Sequence, residues 1–368
     1  MRAVLLTGHG DVDRLDYRTD VADPVPLPGE VLVRVRASAV NNTDVATRID
    51  WYRDETAGEG EEAGDHGRTA ETLRFPRIQG AGAAGVIEAV GPGVDLSRVG
   101  ETVVVDSFIR DPSLPPLRQL VALLGNGRDG GFAELVAVPS ENAMATTATV
   151  TFAELACLPT AYHTAEEMQL RAGVKDGDVV LVTGASGGVG AANVELARMR
   201  GATVVAVTDP AKRDAVLELG AHHVLGRGDD LVAATSSLFG ARAVDVVLDV
   251  TGGPAVPSML YTLKRGGVYG TAGAIAGPHV EIDLRVIIYS DLRMFGQAVA
   301  RREAMEYLIR YVEEGRLHPH VSAVHPLSAL REAQVQFAAK RYVGKIVIDV
   351  DGAETSANPS RTELGAQR

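Results

Sequence analysis

Two hydrophobic rhythms divide the chain. Up to about residue 150, apolar positions come in short runs: Val31-Leu32-Val33-Arg34-Val35-Arg36, Ala84-Gly85-Val86-Ile87-Glu88-Ala89-Val90, Thr102-Val103-Val104-Val105 and Leu135-Val136-Ala137-Val138. Pro28-Gly29, Pro92-Gly93 and Gly130-Gly131 punctuate them. Such runs between turn residues predict strands, so this stretch reads as an all-β domain. From about Phe152 the texture changes. Near-continuous apolar runs at Val179–Thr183, Thr203–Thr208, Val244–Asp249 and Gly267–Thr271 alternate with helical periodicity, as at Val189, Ala192, Leu196 and Met199. The helix between the last two strands reads as Val256–Lys264. Buried strands separated by helices predict a doubly wound parallel sheet, a Rossmann-type α/β domain.

Composition narrows the function classes. At 368 residues the chain is long for one core, which predicts two domains. A formal net charge of -12 argues against nucleic acid as a partner, because phosphate binding needs a basic face. The single cysteine, Cys157, excludes an intrachain disulfide framework and a thiolate zinc cluster, and points to a reducing cytoplasm. No apolar stretch is long enough to span a membrane, and the opening Met1–Thr7 run reads as a strand rather than a signal peptide.

The main candidate chemistry lies at Thr183-Gly184-Ala185-Ser186-Gly187-Gly188-Val189-Gly190, where a strand turns into a helix. Glycines let backbone approach a pyrophosphate, and a helix N-terminus offers free N–H groups and a positive dipole end. The motif is an A-x-G-x-x-G variant beginning at Ala185; its strand–turn–helix context is what supports the reading. Gly184, Ala185, Ser186, Gly187, Gly188, Val189 and Gly190 are therefore the expected phosphate-binding residues. The next strand ends at the neutral Thr208, followed by Asp209-Pro210-Ala211-Lys212-Arg213. Thr208 with Lys212 and Arg213 favours the 2′-phosphate of NADP(H); Asp209, one residue later, is the acid that would serve NAD instead.

Taken together these features resemble the medium-chain dehydrogenase/reductase superfamily, specifically its zinc-independent, quinone oxidoreductase-like branch. The likeness is carried by Pro28–Val33, Val40-Asn41-Asn42-Thr43-Asp44, Phe75-Pro76, Gly80–Gly91, Gly130–Glu134, Leu158–Tyr162, the glycine turn, Leu219-Gly220-Ala221 and Gly344-Lys345. It implies a GroES-like β-barrel catalytic domain (1–156, completed by 301–350) and a Rossmann NADP(H)-binding domain (157–300). A tail, 351–368, is expected to be disordered.

Zinc-dependent relatives carry a cysteine where this chain has Asn41, and a His-Glu pair where Ala81-Gly82 follows Gly80. Cys157 falls near their third ligand position, and their four-cysteine lobe corresponds to 106–130, which has none. A catalytic zinc needs three protein ligands, so no metal is expected.

Without a Lewis acid, reduction of the C=C of an enone or quinone is the easier chemistry: hydride goes to the β-carbon and charge collects on oxygen. The resemblance implies a cleft lined by Asn41, Asp44, Arg48, Tyr52 and Thr160. Asn41 and Tyr52 would donate to the substrate oxygen, Thr160 would lie near the nicotinamide, and Asp44 and Arg48 would bind substrate. The competing readings are an Asp44–Arg48 pair four residues apart on a short helix, and Tyr52 as packing. A tyrosine of some relatives is replaced by Ala46.

Three functions follow: an NADPH-dependent enone or quinone reductase, a zinc-free carbonyl reductase or tailoring enzyme, and a non-catalytic NADPH-binding protein. The acidic segment 53–74 is either a surface insertion or a lid. The run Asp291–Gly296 reads as the last Rossmann strand, whose edge, by resemblance, would pair in a homodimer.

Overall fold

The computed structural model describes residues 1–52, 73–115 and 119–351. The acidic segment lies outside them except for its last two residues, as does the expected tail from 352 onward. The chain divides into two compact units: Met1–Thr160 with Ile309–Arg341 and Lys345–Arg368, and Ala161–Leu308 with Tyr342–Gly344.

The first unit is built on a seven-stranded sheet around the ten-residue strand Glu30–Ala39. That strand pairs antiparallel with Ala83–Val90, Leu135–Pro139 and Lys345–Asp349. Val31, Val33 and Val35 are completely buried, which fixes the register, since a one-residue slip would turn them to the other face. Pairing of Val347 with Ala39 and Ile348 with Ser38 sets Lys345 beside the end of the central strand, where Val40 N donates to Ile346 O (2.9 Å). The expected extended lobe at 106–130 contains a small antiparallel pair, Phe108–Arg110 with Leu120–Leu123.

The second unit carries a six-stranded parallel sheet in the order His223–Gly226, Thr203–Thr208, Val179–Val182, Val244–Asp249, Leu263–Thr271, Arg293–Gly296. Numbered along the chain this is 3-2-1-4-5-6, the doubly wound Rossmann order. Alternation within each strand splits the core into two layers. Val180, Val182, Val204, Ala206 and Leu248 pack on one face, while Leu181, Val207, Val247 and Tyr269 pack on the other with Met259 and Leu260.

One boundary differs from the sequence expectation. The helix Val256–Thr262 stops before Lys264, and the following strand starts at Leu263. Leu263 is fully buried and pairs with Val244, and Thr262 Oγ1 donates back to Met259 O (2.7 Å). Tertiary burial overrides the helical periodicity there. Arg293–Gly296 is the sheet's edge strand, as its sequence suggested.

Candidate active site

In the second unit the strand Val179–Val182 runs through Thr183 into the helix Gly188–Met199. Gly184 turns the chain with φ of 56°, and Gly187 N donates to Gly184 O (2.8 Å). At Gly190 a Cβ atom would stand 2.1 Å from Gly184 O, so only glycine lets the helix start against the turn. The helix N-cap is Gly187, with no side-chain cap, which leaves the first N–H groups available to an anion.

The next strand closes at Thr208. Thr208 is buried and its Oγ1 has no hydrogen-bond partner among the described residues. Lys212 Nζ donates to Ser186 Oγ (3.2 Å), tying the basic residue to the turn. The expected Lys-Arg pair separates: Arg213 Nη1 donates to Val224 O (2.7 Å). Asp209 Oδ1 accepts from Ala211 N (3.0 Å) as the cap of a short turn. Burial and the Arg227 charge hold the Lys212 ammonium below its ordinary value, against the support of Asp209.

A carboxylate that sequence reading missed secures the turn from below. Asp249 is completely buried at the end of its strand. It accepts from Thr183 Oγ1, from Tyr269 Oη (2.6 Å) and from the backbone N–H groups of Thr251 (2.8 Å) and Gly252 (3.1 Å). Burial and this carboxylate hold the Tyr269 phenol well above its usual range, so it stays a donor. The signal was an acid ending a strand just after the apolar run Val246–Leu248.

In the first unit the helix Asn42–Arg48 follows the central strand. Asn41 is its N-cap residue, and its N–H donates to Asp44 Oδ2 (2.8 Å). Asp44 Oδ1 accepts from Gly80 N and Ala81 N, both at 3.2 Å. Burial lifts this carboxyl to about 6, against those donors and the nearby Lys345 charge. Arg48 does not pair with Asp44. Its Nε donates to Gln334 Oε1 (2.9 Å) and its Nη1 to Gly10 O (2.6 Å), so both Asp44 and Arg48 sit in buried structural bonds.

Tyr52 lies beyond the helix. Asp50, with φ of 60°, turns the chain there, and the Tyr52 ring meets Trp51 edge-on at 5.4 Å. Thr160 has φ of 65°, a costly backbone state for a β-branched residue, and its Oγ1 donates to Ala81 O. A Cβ at Gly82 would lie 2.3 Å from Pro159 Cβ, so the Gly80–Gly82 segment packs directly on the turn that carries Thr160.

The side chain that completes this cluster is Lys345. It is 2% exposed, and its Nζ donates to Val40 O (2.8 Å) and Asn41 Oδ1 (2.5 Å). Burial brings this ammonium down to about 8, opposed by Cys157 and Asp44. Its signal in the sequence was a rare lysine opening an apolar strand. Cys157 is fully buried and donates to Ala153 O (3.2 Å). Among the described residues no three His, Cys, Asp or Glu side chains gather as metal ligands, and no helix is long and apolar enough to cross a membrane.

A glycine turn opening a helix on a doubly wound sheet, joined in one chain to a β unit bearing a buried polar cluster, is the framework of a dinucleotide-dependent oxidoreductase. Residues 188–314 match the family model described as zinc-binding dehydrogenase, and residues 27–148 match the alcohol dehydrogenase GroES-like domain. A putative alcohol dehydrogenase from Sinorhizobium meliloti 1021 is 45% identical over 95% of this chain and 96% of that one, with a TM-score of 0.88. The quinone oxidoreductase of Lama guanicoe is 27% identical over 95% of this chain and 97% of its own. The 2-octenoyl-CoA carboxylase reductase CinF, solved with NADP and 2-octenoyl-CoA, is 26% identical, with 100% of this chain and 91% of that one covered and a TM-score of 0.84. Polyketide synthase GfsB of Streptomyces halstedii is 30% identical over 94% of this chain, which spans 6% of that protein's length. This chain belongs to the medium-chain dehydrogenase/reductase superfamily. It is an enzyme, and the non-catalytic reading is set aside.

Proposed function

We propose that the chain is an NADPH-dependent reductase of an activated C=C bond, in an enone, a quinone or an enoyl thioester, working without zinc. The observation that carries the reading is the Asn41 amide, buried and backed by Lys345, at the position that zinc-dependent relatives give to a cysteine ligand. The donor set does not fit zinc. Asn41 is neutral, Ala81 has no ligand atom, and Pro159 leaves no room for a side chain at Gly82.

NADP(H) fits the second unit. The N–H groups of Ser186 and of Gly188 to Gly190 would hold the diphosphate, Thr208 Oγ1 would face the adenosine ribose, and Lys212 with Arg227 would meet the 2′-phosphate. When bound, the reduced nicotinamide supplies the hydride. The chain's own task is then to hold the substrate oxygen, where negative charge collects as the β-carbon is reduced. Asn41 Nδ2–H and the Tyr52 hydroxyl are the proposed donors to that oxygen. Thr160, held in its strained conformation, shapes the segment next to Asn41. Asp44 fixes the Asn41 backbone, and Arg48 anchors the helix rather than the substrate. The α-carbon takes its proton from water or a side chain.

NADPH oxidation is the direct test, measured against an alkyl enone, a quinone, an enoyl-CoA and an aldehyde. Turnover of any of the first three above the aldehyde is the expected result. The likeness to a putative alcohol dehydrogenase favours a second reading, carbonyl reduction, and aldehyde turnover alone would establish it. Elemental analysis finding stoichiometric zinc in the active protein would overturn the metal-free reading.

We also propose a homodimer formed through the edge strand Arg293–Gly296. Met294 on that strand and Leu284, Ile288 and Tyr289 on the preceding helix are exposed apolar side chains, beside a sheet edge that pairs with no further strand among the described residues. Light scattering should give a dimer mass, and Met294→Glu with Ile288→Glu a monomer.

A further inference from the structure

Resting on the reading of Asn41 as the donor to the substrate oxygen, we infer that Lys345 is a positioning residue: its ammonium grips the Asn41 carbonyl oxygen, fixes which way the amide faces and makes its free N–H a stronger donor.

An asparagine amide is nearly symmetric in shape, so its orientation is decided by what bonds its two ends. Here both ends are bound: Oδ1 receives Lys345 Nζ at 2.5 Å, and Nδ2 donates to Ala39 O at 2.9 Å. A flipped amide would set N–H against ammonium at one end and oxygen against carbonyl at the other. Among the described residues, the two bonds leave one Nδ2–H uncommitted. Its direction is fixed by the other two contacts.

Burying an ammonium is costly, and the chain keeps one here with its hydrogen bonds directed to two neutral oxygens, Val40 O and Asn41 Oδ1. Charge at Oδ1 draws electron density along the amide and strengthens the opposite N–H as a donor, an effect that grows in a low-dielectric site. Position 41, which zinc-dependent relatives give to a cysteine ligand, bonds directly to this ammonium. A fixed positive charge thus backs the group that meets the developing oxyanion, one bond removed from the substrate.

The test is a double-mutant cycle on the full-length enzyme with the best C=C substrate from the panel. Lys345→Met should lower kcat by about tenfold to a hundredfold, a fraction of what losing an oxyanion donor costs, while the KM for NADPH changes little. Asn41→Ala should lower kcat at least as much. Because Lys345 acts through Asn41, adding Lys345→Met to Asn41→Ala should cost no more than about twofold further. Lys345→Gln, which keeps a donor but not the charge, should fall between wild type and Lys345→Met; it also serves as the folded replacement if the methionine variant is unstable. Additive losses in the cycle, or an unchanged kcat in both Lys345 variants, would overturn the inference. Absence of C=C turnover by the wild-type enzyme would instead overturn the parent reading, and this one with it.

Discussion

The proposed phosphate seat of the second unit spans eight consecutive residues, Thr183 to Gly190, whereas the polar cluster of the first unit draws on residues 41, 44, 81, 160 and 345. The seat works through backbone: its chemistry is N–H groups, and its side chains matter by being absent. The cluster works through side chains held by one another, two of them ionisable and buried. A backbone site tolerates any residue that leaves room. A side-chain site depends on each member keeping its partner. Substitutions should therefore damage the two regions by different routes, sterically in one and electrostatically in the other.

The contact that would blur this contrast is steric yet lies in the first unit. Gly82→Glu restores the acid of zinc-dependent relatives, but its Cβ would meet Pro159, and the backbone has φ of 121°. Overpacking and backbone strain together should destabilise the enzyme by about 4 kcal/mol, read by urea unfolding. A tolerated, zinc-binding Gly82→Glu would show that the cluster is a lapsed metal site with its space preserved.

Next in size, Gly190→Val should weaken NADPH binding by about a hundredfold in a fluorescence titration, since the helix start must move away from Gly184 and two or more N–H contacts to the diphosphate are lost. Binding within a few fold of wild type would mean that the seat lies elsewhere.

The same contrast explains what could be read from sequence. The glycine turn, the alternating units, the parallel sheet and its last strand are written in contiguous runs, and the resemblance added the barrel-like β unit. Asn41 and Thr160 came from motif order, and the structure brings them to a common segment, Asn41 through Asp44 to Ala81 N and Thr160 to Ala81 O. Lys345 and Asp249 were missed because their importance arises only from pairing. Lys345 lies 304 residues from Asn41, and Asp249 lies 66 from Thr183. Lys212 and Arg213, both read as candidates for a 2′-phosphate, have different partners, Ser186 and Val224, because only the fold decides which neighbour reaches the turn.

The electrostatic half of the comparison is sharpened by pH. Lys345, lowered to about 8 by burial, is charged below that value and neutral above it. If its charge strengthens Asn41, kcat should fall as pH rises through about 8, by about tenfold at pH 9.5 if the neutral lysine acts like methionine. Asp44 and Cys157 face the same ammonium. Asp44 titrates near 6, so its own effect belongs to the acid side. A kcat flat from pH 7 to 9.5 would separate Lys345 from the reaction, whereas NADPH binding through the backbone seat should change little over this range.

The smallest expected effect distinguishes two adjacent residues of the second unit. Lys212 reaches Ser186 in the turn, where the Arg227 charge disfavours its ammonium and Asp209 supports it. A 2′-phosphate would add a second counter-charge, so Lys212→Ala should reduce the preference for NADPH over NADH by about fivefold, close to 1 kcal/mol. Arg213 is bonded to Val224 O, and Arg213→Ala should leave the preference within about twofold of wild type while costing a little stability. Measured as the ratio of kcat/KM for the two cofactors, the pair needs no knowledge of the natural substrate. Equal losses from both substitutions would show that the Arg213 side chain swings to the phosphate when cofactor binds. The backbone seat would then include a side-chain component, as the first unit's cluster does.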